Sequence, residues 1–136
     1  MPIVPEPQVS KLKNDFINCN NSFYIIDQKL LEIVNALKRS CETLQIDFNS
    51  KKGMQINYKE EKFEPEEYTI EILQDQIIIA AFDYSGRLYA LISLIHLFFY
   101  YRNKLPLGLI QDKPQFYWRG MHLDCARQFH SVKQIK

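Results

Sequence analysis

The residues best suited to chemistry lie near the C-terminal end of the chain. Pro114-Gln115-Phe116-Tyr117-Trp118-Arg119-Gly120-Met121-His122-Leu123-Asp124-Cys125-Ala126-Arg127-Gln128-Phe129 sets arginines, an aspartate and a histidine among apolar side chains. Met121, Leu123 and Cys125 alternate with His122 and Asp124, the pattern of a strand. Charge inside a strand is costly unless it is paired. Spacing alone leaves two readings open. One is a surface strand with an ion pair of the Arg119–Asp124 type. The other is a strand whose end carries a ligand-binding arginine, since a planar guanidinium donates two parallel hydrogen bonds to vicinal hydroxyls or a carboxylate.

The first hundred residues offer no comparable group. The glycines Gly53, Gly86, Gly108 and Gly120 are scattered, so there is no phosphate-cradling loop, and HExxH is absent. His96 sits alone in an apolar run and reads as a core or interface histidine, because one histidine does not make a metal site. Asp83-Tyr84-Ser85-Gly86 reads as a turn. Cys19, Cys41 and Cys125 are odd in number and widely spaced, with no CxxC pair. Buried free thiols are the default, and a disulfide stays open for an oxidising compartment.

The elements that would position these residues are legible in outline. Pro2 to Pro7 is extended. Phe16-Ile17 and Phe23-Tyr24-Ile25-Ile26 read as short strands around the turn Asn18-Cys19-Asn20-Asn21. Asp27 is a candidate N-cap for a helix with Leu30, Leu31, Ile33, Val34, Leu37, Cys41 and Leu44 on its core face; Lys29, Glu32, Asn35, Lys38 and Arg39 take the other. Asn49 to Gly53 reads as a loop, Met54, Ile56 and Tyr58 as a strand with one wet face, and Lys59 to Glu67 as a charged connection. Tyr68 to Ile72 and Ile77 to Ala81 form a β-hairpin around Gln74-Asp75, and the second arm reads as a central strand buried on both faces. A second helix runs from about Arg87 to Tyr101, apolar nearly all round, and Asn103 to Pro106 closes it. The fold class expected is α/β of the α+β type: a mostly antiparallel sheet with two helices on one face.

Composition narrows the function. Hydrophobic residues reach 46%, charged residues 24% and aromatics 13%, the profile of a folded globular chain. A net charge of +1 gives no electrostatic case for nucleic acid, and Lys11–Lys13 and Lys51–Lys52 read as solvated loops. Leu88 to Tyr101 is broken by Ser93 and His96 and is shorter than the ~20 residues of a membrane span. Met1 to Pro5 lacks the basic start and apolar segment of a signal peptide.

Arg119-Gly120-Met121-His122-Leu123-Asp124-Cys125-Ala126-Arg127-Gln128-Phe129 resembles the first barrel strand of the family 20 glycoside hydrolases, the β-N-acetylhexosaminidases. Their pattern is Arg-Gly, a few apolar residues, then Asp-x-x-Arg-His-Phe. Glu67-Tyr68 with Ile70 and Ile72, Ile77 with Ile79 and Ala81, Gly86 with Tyr89-Ala90, Leu94, and Ile110 to Pro114 resemble the accessory domain before that barrel. The chain departs at Gln128, where the family usually has histidine, and at Leu94-Ile95-His96-Leu97, where Leu-x-Gln-Leu is frequent.

The resemblance implies an accessory α/β domain over 1–113 and the start of a truncated (β/α)8 barrel over 114–136. It implies that Arg127 binds hydroxyls of a terminal N-acetylhexosamine, with Asp124 and Arg119 in support. Hydrolysis in the family is substrate-assisted and retaining: the acetamido oxygen attacks the anomeric carbon, an aspartate orients the acetamido group and an adjacent glutamate is the general acid. No catalytic residue of that kind is assigned in these 136 residues, so this piece is expected to be inactive. No cofactor or metal is implied. The partners implied are N-acetylhexosamine-containing glycans, through the full-length enzyme, and the chain's own barrel packed on this domain, with no nucleic acid and no membrane span. A secreted, periplasmic or lysosomal location follows from the resemblance alone. The alternatives are a stand-alone structural or interaction module, or the accessory domain of another glycosidase.

Overall fold

The computed structural model describes residues 3, 5–43, 45–48, 51–102, 104–120, 122–127 and 129–135. Met1, Pro2, Val4, Leu44, Asn49, Ser50, Asn103, Met121, Gln128, Lys136 and the side chains of Arg39 and Ser40 lie outside this description. In chain order the elements are β1 (Val9–Asn18), β2 (Phe23–Ile25), α1 (Gln28–Ala36), α2 (Lys38–Thr43), β3 (Met54–Glu60), β4 (Tyr68–Ile72), β5 (Gln76–Ala81), α3 (Tyr84–Tyr101), β6 (Lys104–Asp112) and α4 (Val132–Ile135).

The strands form one mixed sheet in the order β1-β6-β4-β5-β3-β2. The β1/β6, β6/β4 and β4/β5 pairings are antiparallel. The other two, β5/β3 and β3/β2, are parallel. The expected hairpin is present, with Ile72 opposite Ile77 and Leu73 N–H donating to the Gln76 carbonyl at 2.9 Å. The parallel edge arises because the chain leaves β2, crosses through α1 and α2, and returns as β3 in the same direction.

The α+β class expected from the sequence is observed, with several differences of detail. The first helix is two: Leu37 sits between them at φ −90° and ψ 6°, its N–H still bonded to the Ile33 carbonyl. The chain then turns back at Gln45, whose φ is 55°. Asp83 is not merely part of a turn. Its carboxylate accepts from Gly86 N at 2.7 Å and caps α3, which therefore begins at Tyr84 and not Arg87. Lys11 and Lys13 lie on β1 rather than in a loop.

β6 has no counterpart in the sequence reading because Pro106 and Gly108 look like breakers. Pro106 is tolerated where β6 has no pairing with β4, which begins only at Gly108. Gly108 sits at a bulge, with Leu12 opposite it and Phe16 opposite Pro106. Its φ is +142°, and a Cβ there would fall on the Lys11 carbonyl.

α1 packs on α3, and α3 lies across β4, β5 and β6, so the helices share one face of the sheet. Between them lie Leu30, Ile33, Ile56, Tyr68, Ile70, Ile72, Ile77, Ile79, Leu91, Leu94 and Leu97, all essentially inaccessible. Each such aliphatic side chain contributes roughly 1.5–3 kcal/mol relative to exposure. The opposite sheet face is wet: Gln55 donates to Asn57, and Asn57 donates to Gln76, across β3 and β5. β5 is internal to the sheet, and Ala80 is buried on that second face, while Ile78 is only half-buried.

α3 is not covered on every side. Tyr84, Leu88, Ile92, His96 and Phe99, spaced by four and three, form a stripe that is exposed or half-buried, with Phe99 69% exposed. No helix among the described residues is long and apolar enough to cross a membrane.

Candidate functional site

The segment after β6 runs back along α3. Together with Ile3 and Pro5 it walls a cavity of about 640 Å³ whose floor includes Tyr68, Tyr89, Ile92 and His96. The floor is held by a buried polar contact, Tyr68 Oη to Ser93 Oγ at 2.6 Å, with a longer bond from Tyr68 to Asp112 Oδ2 at 3.4 Å. Burial, first of all, pushes the Tyr68 hydroxyl well above its ordinary pKa, so it stays a neutral donor. His96 Nδ1 is buried at the edge of this space with no hydrogen-bond partner among the described residues.

The arginines and aspartate singled out in the sequence fall in two separate places. Arg119 reaches back to the loop before β4 and to α3. Its Nη2 donates to Glu66 Oε1 at 2.7 Å and to Tyr89 Oη at 3.0 Å, and its Nη1 donates to the Phe116 carbonyl. Its guanidinium lies over the Tyr89 ring, 5.8 Å from the centroid. The Glu66 carboxylate, then the Tyr89 hydroxyl, raise its pKa further.

Asp124 and Arg127 pair with each other. Arg127 Nε and Nη2 donate to Asp124 Oδ2 at 3.1 and 2.9 Å. Asp124 Oδ1 accepts from the Ala126 N–H at 2.8 Å, an Asx-type turn. That backbone bond first, and Arg127 second, hold the Asp124 carboxyl below its ordinary pKa. The Arg127 side chain is 89% exposed, with its donors aimed at Asp124 and the rest of the guanidinium open to solvent. The Arg119–Asp124 pair considered from spacing does not form.

None of the described residues between Pro114 and His130 belongs to a strand. A barrel strand is hydrogen-bonded on both sides by neighbouring strands, and none pairs with this segment here. Its apolar side chains are correspondingly bare: Tyr117 is 98% and Trp118 85% exposed, with Phe116 and Phe129 also exposed. Cys125 is exposed, unlike Cys19 and Cys41, which are buried free thiols.

Sequence reasoning did not find Glu66 or the role of Tyr89. Glu66 carried no signal, being one charge in a charged connection. The Asp83-to-Gly86 spacing was a usable capping signal for the helix that presents Tyr89.

No family model matches the chain. It is 27% identical over 135 residues to a β-hexosaminidase of Vibrio vulnificus, covering 98% of this chain and 16% of that protein. It is 41% identical over 69 residues to the N,N'-diacetylchitobiase of Vibrio harveyi, covering 50% of this chain and 8% of that protein. Its fold matches a family 20 exo-β-N-acetylglucosaminidase of Vibrio harveyi, solved in complex with N-acetylglucosamine, with a TM-score of 0.75 and 24% identity. That match covers 98% of this chain and 22% of the other. The chain thus spans about a fifth or less of the proteins it resembles, and the resemblance is to the N-terminal domain of family 20 hexosaminidases.

Proposed function

We propose that this chain is the N-terminal part of a β-N-acetylhexosaminidase, an accessory α+β domain over 1–113 joined to the start of a catalytic (β/α)8 barrel over 114–136. The observation that carries the reading is the reach of the likeness. It covers 98% of the chain, so it runs past the accessory fold and includes Arg119, Asp124 and Arg127. In support, the uncovered stripe on α3 and the bare aromatics at 116–118 are apolar surface of the kind that a neighbouring domain covers. On this reading the catalytic barrel packs there.

In the longer protein Arg127 binds hydroxyls of the terminal N-acetylhexosamine, and Asp124 orients it. The open donors of Arg127 and its fork on Asp124 fit that division: one carboxylate fixes the guanidinium plane, and the remaining N–H groups are available to a ligand. Hydrolysis then follows the family's substrate-assisted, retaining course, with the acid and the acetamide-orienting carboxylate supplied outside residues 1–136.

The test is Arg127→Ala in the longer protein. We expect kcat/KM on an aryl N-acetylglucosaminide to fall on the order of 10²-fold, since each charge-assisted bond is worth roughly 1.5–3 kcal/mol. Thermal stability should hold, because the side chain makes no buried contact. A large loss of stability with unchanged specific activity would make Arg127 a structural ion-pair partner instead. The 136-residue chain alone is expected to release no product from the same substrate.

A further inference from the structure

We propose that Arg119 is a positioning residue, which locks the first barrel strand to the accessory domain and so sets where Arg127 meets the sugar; this rests on the barrel reading above. The receptor for Arg119 is built in advance. Glu66 sits in the left-handed region at φ 67°, uncommon for a residue with a side chain and sustained only where surroundings enforce it. The enforcing group is Asp83, whose Oδ2 accepts from Glu66 N at 2.9 Å while its Oδ1 caps α3 through Gly86 N. Gly86 lets the Glu66 loop sit directly on the helix start, since a Cβ there would lie 2.6 Å from the Glu67 carbonyl. One carboxylate therefore fixes both the loop that carries Glu66 and the helix that carries Tyr89. Arg119 closes on both: its Nη2 is shared by Glu66 Oε1 and the Tyr89 hydroxyl, which themselves lie 3.4 Å apart, while its Nη1 donates to the Phe116 carbonyl of its own segment.

The consequence for Arg127 follows from strand geometry. On the barrel reading the strand begins at Arg119 and ends at the Asx turn of Asp124, which presents Arg127, so a shift of the strand is carried along it to that turn. A slip of one residue would turn the strand's side chains to the opposite face and displace the turn that carries Arg127. An anchor at Arg119 excludes that slip. The pair with Glu66 is partly exposed, with side-chain exposures of 37% and 27%, and an ion pair of that kind adds little to stability. Its effect is on position, and misplacement by about 1 Å at a reacting centre costs up to 10²-fold in rate.

In the longer protein, Arg119→Ala and the milder Arg119→Lys and Glu66→Gln are compared with wild type for kcat, KM and melting temperature. We expect kcat/KM to fall about 10- to 100-fold for Arg119→Ala and less for the other two, with melting nearly unchanged. Because Arg119 acts through Arg127, adding Arg119→Ala to Arg127→Ala should cost nothing further. The exchange of Arg119→Glu with Glu66→Arg should recover at least about tenfold over either single change. Additive losses in the Arg119/Arg127 pair, or single variants with unchanged kcat/KM, overturn the proposal. In the 136-residue chain, Trp118 is the sole tryptophan, and its fluorescence anisotropy should fall in Arg119→Ala toward that of a free peptide. If anisotropy falls as expected but the longer wild-type protein hydrolyses no N-acetylhexosaminide, the hydrolase reading fails and the sugar-positioning role falls with it. If the longer protein is active and neither anisotropy nor kcat/KM responds, the anchor itself is wrong.

Discussion

At the residue scale, the polar groups that matter are few and differ in burial. Cys19 is 4% exposed, and burial pushes its thiol from 9.0 up to about 11. Between those values the unfolded chain has lost the thiol proton and the folded chain has not, so stability falls as pH rises through that window. The stability advantage of wild type over Cys19→Ala should therefore shrink between about pH 8 and about pH 11, as read by urea melts at each pH. An advantage that holds constant would mean the thiol ionises in the folded state as it does unfolded. Tyr68 and Ser93 share a buried polar contact. Tyr68→Phe leaves the Ser93 hydroxyl without that partner and should cost about 1–3 kcal/mol by denaturant titration. A cost near zero would show that Ser93 finds another hydrogen-bond partner. By contrast, Arg127 and Asp124 form an exposed pair, so losing it is expected to cost little stability.

At the element scale, the sheet depends on one backbone feature that composition disguises. Gly108 holds φ +142° at the bulge between β1 and β6, with the Lys11 backbone against its Cα. Gly108→Ala adds a strained conformation to a clash with main chain that has no room to rotate away. We expect a loss of about 2–4 kcal/mol, against the ~0.5–1 kcal/mol by which alanine is favoured in unstrained positions. Stability equal to wild type would mean that β1 can detach from β6 without consequence. The hairpin and both helical segments were legible because their periodicities are regular and local. β6 was not, since Pro106 and Gly108 are read as punctuation until the partner strands show why each is tolerated. The parallel placement of β3 beside β5 was not legible either, because alternation in Met54 to Tyr58 is the same for either direction of pairing.

At the scale of the whole molecule, the chain carries more apolar surface than it covers. The stripe from Tyr84 to Phe99 and the run Phe116 to Trp118 stand open on the side where the C-terminal segment passes. If a barrel packs on this domain, that surface is removed from water in the longer protein. Trp118 emission should then lie further to the blue, with slower acrylamide quenching, in the longer protein than in the 136-residue chain. Identical spectra would place Trp118 at the surface of both and count against barrel packing at this face. The cavity beside α3 is, in the same reading, a gap between domains rather than a ligand site of its own.

The sequence by itself determined the α+β class, the hairpin, the N-cap at Asp27 and the likeness to family 20 hexosaminidases, which the comparisons bear out. These are local or pattern-bound properties: periodicity, capping chemistry and a run of specified residues are complete within a few positions. Tertiary structure decided the rest. It gave Arg119 to Glu66 and Tyr89, 53 and 30 residues away in sequence, and left Asp124 to Arg127. No spacing rule could select Glu66 from among its charged neighbours. What selects it is a left-handed backbone held by the cap of α3, and that arrangement exists only once the loop, the helix and the C-terminal segment meet.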